Sequence, residues 1–243
     1  ISTKELNMLM NLFVTTIMFS VSNYEIKQEK SHPSPPLITS TLQQLAQKTH
    51  GFKVAHTMSI AQKLYENGLI TYMRTDSTFI NNEFESILEG KIIKDYGKEY
   101  FYKKTRKKVK GAQEAHEAIR PTKLNAQLTD DKYNDCDKKL YHLIVKRTIQ
   151  AYMSPAIYDV HLLEFSNESI DRYGLFTSKE QFIQFDGYLK YSNNNDTIKG
   201  INQKLYTEDI TEKEFTLKTG KAINSISNPP QYYNESSIVK QLN

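Results

Sequence analysis

Residues 38–74 read ITSTLQQLAQKTHGFKVAHTMSIAQKLYENGLITYMR, and this stretch decides the architecture. Ser40 followed by Gln43 has the spacing of a capping box, in which two side chains satisfy each other's orphan backbone donors. A helix is expected to begin there. Gly51 can take the left-handed conformation that closes such a helix. Thr57 is expected to open a second helix, with Met58, Ala61, Leu64 and Tyr65 on one face and Gly68 at its end. LITYM, residues 69–73, then carries the β-branched and aromatic residues of a strand.

Outward from this centre the texture changes. The first segment, to about Ile26, reads as a helix leading into a short strand over 18–25, and Pro33, Pro35 and Pro36 break it off. From Asn81 to about Met153 the pattern is mostly helical, with Leu140, Leu143, Ile144, Arg147 and Ile149 on a half-buried helix. Beyond Ile157 the runs YDVHLLEF (158–165), YGLFTSK (173–179) and QFIQFDGYLKY (181–191) read as strands, with YSNNNDTIKG (191–200) as a turn-rich loop. After Pro229 and Pro230, Asn234 is the expected N-cap of a further helix. This order, β-rich then helical then β-rich, is explained by a helical domain inserted into a β domain. The fold class is therefore α+β, with no internal repeat.

Composition bounds the class. Hydrophobic residues make up 38% and charged residues 25%, which is globular rather than disordered. No apolar run approaches the roughly 18–20 residues that span a bilayer. The longest, 8–19, is interrupted by Asn11, Thr15 and Thr16 and lacks the basic flank of a signal peptide. The single cysteine, Cys136, excludes an internal disulfide and a multi-cysteine zinc site, and makes a reducing, intracellular setting the default. The net charge of +4 says less than its distribution. Lys103, Lys104, Arg106, Lys107, Lys108 and Lys110 form a block that would contact the phosphates of a polyanion. A merely solvated loop accounts for that block equally well.

Three constellations bear on chemistry. In a strand, residues i and i+2 share a side, roughly 6.6 Å apart, so Tyr72 and Arg74 face the same way. Tyrosine is a poor nucleophile at neutral pH because its pKa is about 10. A guanidinium beside it stabilises the phenolate and can grip two phosphate oxygens in its planar fork. The pair suits attack on a phosphodiester to give a phosphotyrosine ester. On spacing alone, a core strand tyrosine next to a surface arginine is the favoured account. The second constellation is AQEAHEAIRPT, residues 112–122. His116 and Arg120 are four apart, so a helical turn ended by Pro121 would project both toward a phosphate, and Gln113 could join that face. The same stretch begins like the zinc motif H-E-x-x-H but has Arg120 where the second histidine belongs, which excludes that reading. Asp135 and Asp137 resemble a magnesium-binding pair, but a solvated helix entrance among lysines explains them better.

Taken together, GLITYMRTDST, AHEAIRPT, PLITSTLQQLA and PPQYYNESSIVKQL, in this order, resemble the central part of a type IA DNA topoisomerase over nearly the whole chain. Met73 and Glu117 are similar to the bacterial topoisomerase I branch, since the topoisomerase III branch tends to have proline at both positions. The resemblance implies that Tyr72 is the nucleophile, holding a DNA 5′ phosphate as a covalent ester while another strand passes. Arg74 positions it and stabilises charge on the phosphate, and His116 bonds the scissile or adjacent phosphate. Arg120 is a further phosphate contact on physical grounds, and Gln113, Lys104, Arg106 and Lys107 are candidate DNA contacts. The implied fold is a winged-helix-like (CAP-like) tyrosine domain over 37–157, inserted into a β-rich arch formed by 1–36 and 158–227. Residues 228–243 would open a DNA-binding domain. Single-stranded and negatively supercoiled DNA are the implied partners, without a membrane, and the protein is expected to be a monomer. Magnesium (Mg2+) is the implied cofactor, with its acidic ligands in the family's Toprim domain, which no segment here matches. No metal ligand is assigned in this chain, and these 243 residues alone are expected to bind DNA as a gate-forming module without relaxing it.

Overall fold

The computed structural model describes residues 3–12, 18–102, 117–126, 128–129, 131–169, 171–192, 208–217, 228–229 and 232–242. Contacts divide the chain into two compact units. One comprises Ile1–Ser31, Ala156–Asp186 and Asn195–Pro229; the other comprises His32–Pro155, Gly187–Asn194 and Pro230–Asn243. Both helices and antiparallel strands are present, as an α+β class requires. Among the described residues, no helix is long and apolar enough to cross a membrane.

The first unit holds helix α1 (Thr3–Leu12) and strands β1 (Met18–Ser31), β2 (Ala156–Ser166), β3 (Phe176–Phe185) and β4 (Glu214–Thr216). They form a four-stranded antiparallel sheet in the order β3-β2-β1-β4. Its small core is aromatic: Phe19 packs on Phe165 and Phe176, and Phe165 meets Phe215 edge-on. Val160, Leu163, Phe182 and Ile210 of the same unit are buried as well. Strand β1 is longer than the short strand expected over 18–25. It continues through Ile26–Ser31, a charged run that reads as a linker, because β2 supplies a partner for its backbone along that whole length. Its outward side chains stay in water, so Lys27, Glu29 and Lys30 cost the pairing little. The two strand runs expected over 173–191 are one strand, β3, followed by a 3-10 turn over Gly187–Ser192. Of the loop expected over 191–200, residues 193–200 lie outside the described residues.

The second unit is built on helices α2 (Thr39–His50), α3 (Val54–Glu66), α4 (Asn82–Tyr96), α5 (Asp135–Gln150) and α6 (Glu235–Leu242). Helix α2 starts before Ser40, and the reciprocal bond at its entrance is made by Thr41, whose hydroxyl accepts from the Ile38 amide at 2.9 Å. Gly51 ends it at φ 71°, in the left-handed region. Only residues 51–53 separate α2 from α3. Helix α3 begins at Val54, three residues ahead of Thr57, whose hydroxyl instead bonds back to the Lys53 carbonyl at 3.0 Å. Asn234 caps α6 as expected, accepting from the Ser237 amide at 2.9 Å. The core gathers Leu42 and Ala46 from α2, Ile60, Ala61 and Leu64 from α3, Phe84, Leu88 and Ile92 from α4, and Leu140, Ile144 and Ile149 from α5. Leu37, Ile70, Met73, Ile80 and Ile119 complete it from non-helical chain.

Candidate active site

The chain from Leu69 to Ile80, between α3 and α4, belongs to no ladder. Its single β-bridge joins Ile70 to Pro121, and a second antiparallel bridge joins Leu37 to Ile119. The strand expected over LITYM is thus one bridge long, and the order of this segment comes from threonines. On one flank of Tyr72, the Thr71 amide donates to the Arg120 carbonyl at 2.9 Å. The Thr71 hydroxyl donates to the Ala118 carbonyl at 2.7 Å and accepts from the Arg120 amide at 2.9 Å. On the other flank, the Thr39 hydroxyl at the start of α2 donates to the Met73 carbonyl at 2.8 Å and accepts from the Thr75 amide at 2.9 Å. The Thr39 amide donates to the Thr75 carbonyl, also at 2.9 Å.

Between these staples the side chains alternate. Met73 and Thr75 are buried, whereas Tyr72, Arg74 and Asp76 are exposed. Tyr72 and Arg74 therefore share the solvent side, as the i, i+2 spacing requires. Tyr72 is 44% exposed, which rules out a tyrosine packed in the core. Its ring meets Tyr65 of α3 edge to face, with centroids 5.2 Å apart. Such a site offers an accessible phenol and guanidinium on a backbone pinned at Thr71, Met73 and Thr75. That is the arrangement a nucleophile for an extended polyanionic substrate requires, because the substrate must reach it without the segment unfolding.

The stretch after His116 departs from the expected helix. Residues 117–120 are not helical, because Ala118 donates to the Phe79 carbonyl at 2.7 Å and Ile119 to the Leu37 carbonyl at 2.8 Å. Arg120 consequently turns inward and is 8% exposed. Its guanidinium pairs with Glu117 Oε2 at 2.5 Å, donates to the Pro121 carbonyl at 3.0 Å and stacks 4.1 Å from the Phe84 ring centroid. Of its three guanidinium nitrogens, Nε has no partner among the described residues. The other Glu117 oxygen accepts from the Asn81 amide at 2.8 Å, one residue before α4. Arg120, expected at a phosphate, has its fork engaged inside the fold. His116, Gln113, Lys104, Arg106 and Lys107 lie outside the described residues.

The implied magnesium finds no fit here. Among the described residues, no three or more His, Cys, Asp or Glu stand together so as to hold a metal. Asp137 is not a solvated carboxylate as expected but is 1% exposed, accepting from the Asn134 amide at 3.0 Å and pairing with Lys63. With Asn134 it forms the capping box of α5 and ties α3 to that helix, so no step below runs through a metal.

Several contributors were invisible to the one-dimensional reading. Thr39, Thr71 and Thr75 hold the Tyr72 segment, and Glu117 holds Arg120. The recurrence of threonine at 71 and 75, one residue outside the Tyr72–Arg74 span on each side, is the signal that could have revealed them.

Comparison with known proteins follows the same residues. A profile described as DNA topoisomerase matches residues 2–243. DNA topoisomerase 1 of Rickettsia bellii is 40% identical over 240 residues, covering 92% of this chain and 30% of the relative. DNA topoisomerase 1 of Helicobacter pylori is 37% identical, covering 92% and 31%. The structure of full-length topoisomerase I from Thermotoga maritima aligns with a TM-score of 0.75 at 28% identity, covering 100% of this chain and 39% of that one. The chain spans about a third of the length of the relatives it matches.

Proposed function

Because the chain belongs to the DNA topoisomerase family, we propose that it is the tyrosine-bearing middle portion of a type IA enzyme and that Tyr72 is its nucleophile. The phenolic oxygen of Tyr72 attacks the phosphorus of a DNA phosphodiester. As the new O–P bond forms, the bond to the 3′ oxygen breaks. The phenolic proton passes to water or a base, and the departing 3′ oxygen takes one up. One phosphodiester is exchanged for another, so reversal reseals the strand without external energy. Arg74, on the same solvent side, stabilises the charge on the phosphate through its fork. His116 bonds that phosphate or its neighbour, and Gln113, Lys104, Arg106 and Lys107 contact the DNA backbone. While the strand is open another passes through, which relaxes negative supercoils. The observation that carries this reading is the exposed Tyr72–Arg74 pair held between the stapled Thr71 and the stapled, buried Thr75.

The finer architecture belongs to the same proposal. Residues 37–157, most of them in the second unit, are the winged-helix-like tyrosine domain, supported by the three-residue link between α2 and α3, and residues 228–243 open a DNA-binding domain. The first unit is the arch into which it is inserted, supported by the chain leaving that unit after Ser31 and rejoining it at Ala156. The 243 residues by themselves form a DNA-binding gate without relaxation activity, in keeping with the third of the relatives' length that they span.

The test is capture of the covalent complex by the full-length enzyme on single-stranded DNA labelled separately at each end. The expected product is a tyrosine ester of a 5′ phosphate, abolished by Tyr72→Phe while noncovalent affinity is retained. An adduct surviving in Tyr72→Phe, or one attached to a 3′ phosphate, overturns the proposal.

A further inference from the structure

We infer that Tyr65 is a positioning residue for Tyr72, holding the phenol ring in its attacking orientation by an edge-to-face contact. This inference rests on the reading of Tyr72 as the nucleophile. Tyr65 lies in the last turn of α3, and the way that helix stops brings the two rings together. Gly68, at φ 68°, takes the left-handed conformation that reverses the chain. The Gly68 amide donates to the Tyr65 carbonyl itself at 2.8 Å, and the Leu69 amide donates to the Leu64 carbonyl at 2.9 Å. The Thr122 hydroxyl locks the turn from outside, donating to the Gly68 carbonyl at 2.6 Å. Tyr72 then returns alongside the helix end. Its ring stands 5.2 Å from that of Tyr65, with 63° between the planes, a geometry in which the positive ring edge meets the negative face.

The burial pattern separates this contact from ordinary core packing. Tyr65 is 40% exposed and Tyr72 44%, and the buried face of α3 is carried by Thr57, Ile60, Ala61 and Leu64. Among the described residues neither tyrosine hydroxyl is hydrogen-bonded. The chain is stapled on both sides of Tyr72, and the ring contact its side chain makes among those residues is with Tyr65. A tyrosine without that neighbour would populate its other staggered rotamers, each aiming the hydroxyl elsewhere. An edge-to-face pair of this kind biases such a choice by a factor of roughly 2–10. The contact is made by the ring and not by the hydroxyl, so phenylalanine should replace Tyr65 and an aliphatic residue should not.

The experiment is single-turnover cleavage of a labelled single-stranded oligonucleotide by full-length Tyr65→Phe, Tyr65→Leu and Tyr65→Ala enzymes, with Tyr72→Phe alongside. The expected result is a rate at saturating DNA lowered roughly 3–10-fold in the Leu and Ala variants and restored in Phe. The DNA concentration giving half the maximal rate, and the melting temperature, stay unchanged. Unaltered saturating rates in Leu and Ala overturn the inference. So does a loss confined to DNA affinity, which would make Tyr65 a base-stacking platform. A Tyr65→Phe enzyme as slow as Tyr65→Ala also overturns it, since the hydroxyl would then be the acting group. An adduct persisting in Tyr72→Phe overturns the underlying reading instead, and is told apart by that lane alone.

Discussion

Arg120 offers the sharpest test of the structure, because a role in the fold and a role at a phosphate predict opposite results. Consider Arg120→Met, which keeps an unbranched stem and removes the guanidinium. The lost charge-assisted bond to Glu117 is worth about 1.5–3 kcal/mol, placed at the lower end because Glu117 is 22% exposed and regains water. The lost stack on Phe84, at 4.1 Å, adds about 1–2 kcal/mol for a desolvated cation–π contact. These terms share one side chain and do not add fully, so the expected loss is about 3 kcal/mol. At roughly 2–4 °C per kcal/mol for a unit of this size, the melting temperature should fall by about 6–12 °C. Urea unfolding of the 243-residue chain reads the free energy. Pairing the variant with Glu117→Gln in a double-mutant cycle should show coupling of about 1–2 kcal/mol. Salt-dependent binding to labelled single-stranded DNA gives the other arm. A buried Arg120 leaves the slope of log affinity against log salt unchanged, whereas loss of one phosphate contact lowers its magnitude by about 0.7. Stability within about 0.5 kcal/mol of the parent, together with that lowered slope, would refute the inward placement.

The threonine staple predicts that Thr39→Val, nearly isosteric, loses about 2–3 kcal/mol, since the Met73 carbonyl and Thr75 amide each lose a partner; Thr39→Ser should keep most of it, and equal urea midpoints for Val and Ser would sink the staple. Two glycines should respond differently to alanine. At Gly51 an added Cβ meets nothing within 4 Å, so Gly51→Ala costs about 1 kcal/mol for its positive φ alone. At Gly187 the Cβ would sit 2.4 Å from the Pro155 and Ser154 carbonyl oxygens, so Gly187→Ala should cost well above that, and similar thermal shifts for the two would contradict this packing. His50 is held below its ordinary pKa of 6.5 by burial first and by Lys139 second. A group with a lowered folded pKa contributes stability that is full above its unfolded pKa and is lost as pH falls through the folded value. Unfolding free energy should therefore decline below about pH 6.5 through this group, less so in His50→Gln. NMR titration of Lys139→Gln should show the His50 pKa moving up, and a downward move would contradict the charge assignment.

What the sequence determined by itself was local. The breaks at Gly51 and Gly68, the Asn234 cap, the apolar face of α5 and the Ala61–Leu64 part of that of α3 follow from backbone freedom and a period of 3.6 residues. Both operate within a few positions of each residue. Tyr65, expected on the α3 face, is exposed. The shared side of Tyr72 and Arg74 was equally legible, because alternation holds for any extended chain, whether or not a sheet forms around it. Only the tertiary structure decided what HEAIRP becomes. His116 and Arg120 have the spacing of a helical face. Yet the backbone from Glu117 to Pro121 is not helical, because Leu37, Ile70 and Phe79, all distant in sequence, supply partners for it. That choice turned Arg120 from a surface cation into a buried one. The same long-range pairing made Thr39, Thr71 and Thr75 into the clasp that leaves the ring of Tyr72 in solvent. A hydroxyl's partner depends on which carbonyl the fold brings within about 3 Å, and spacing along the chain carries no record of that.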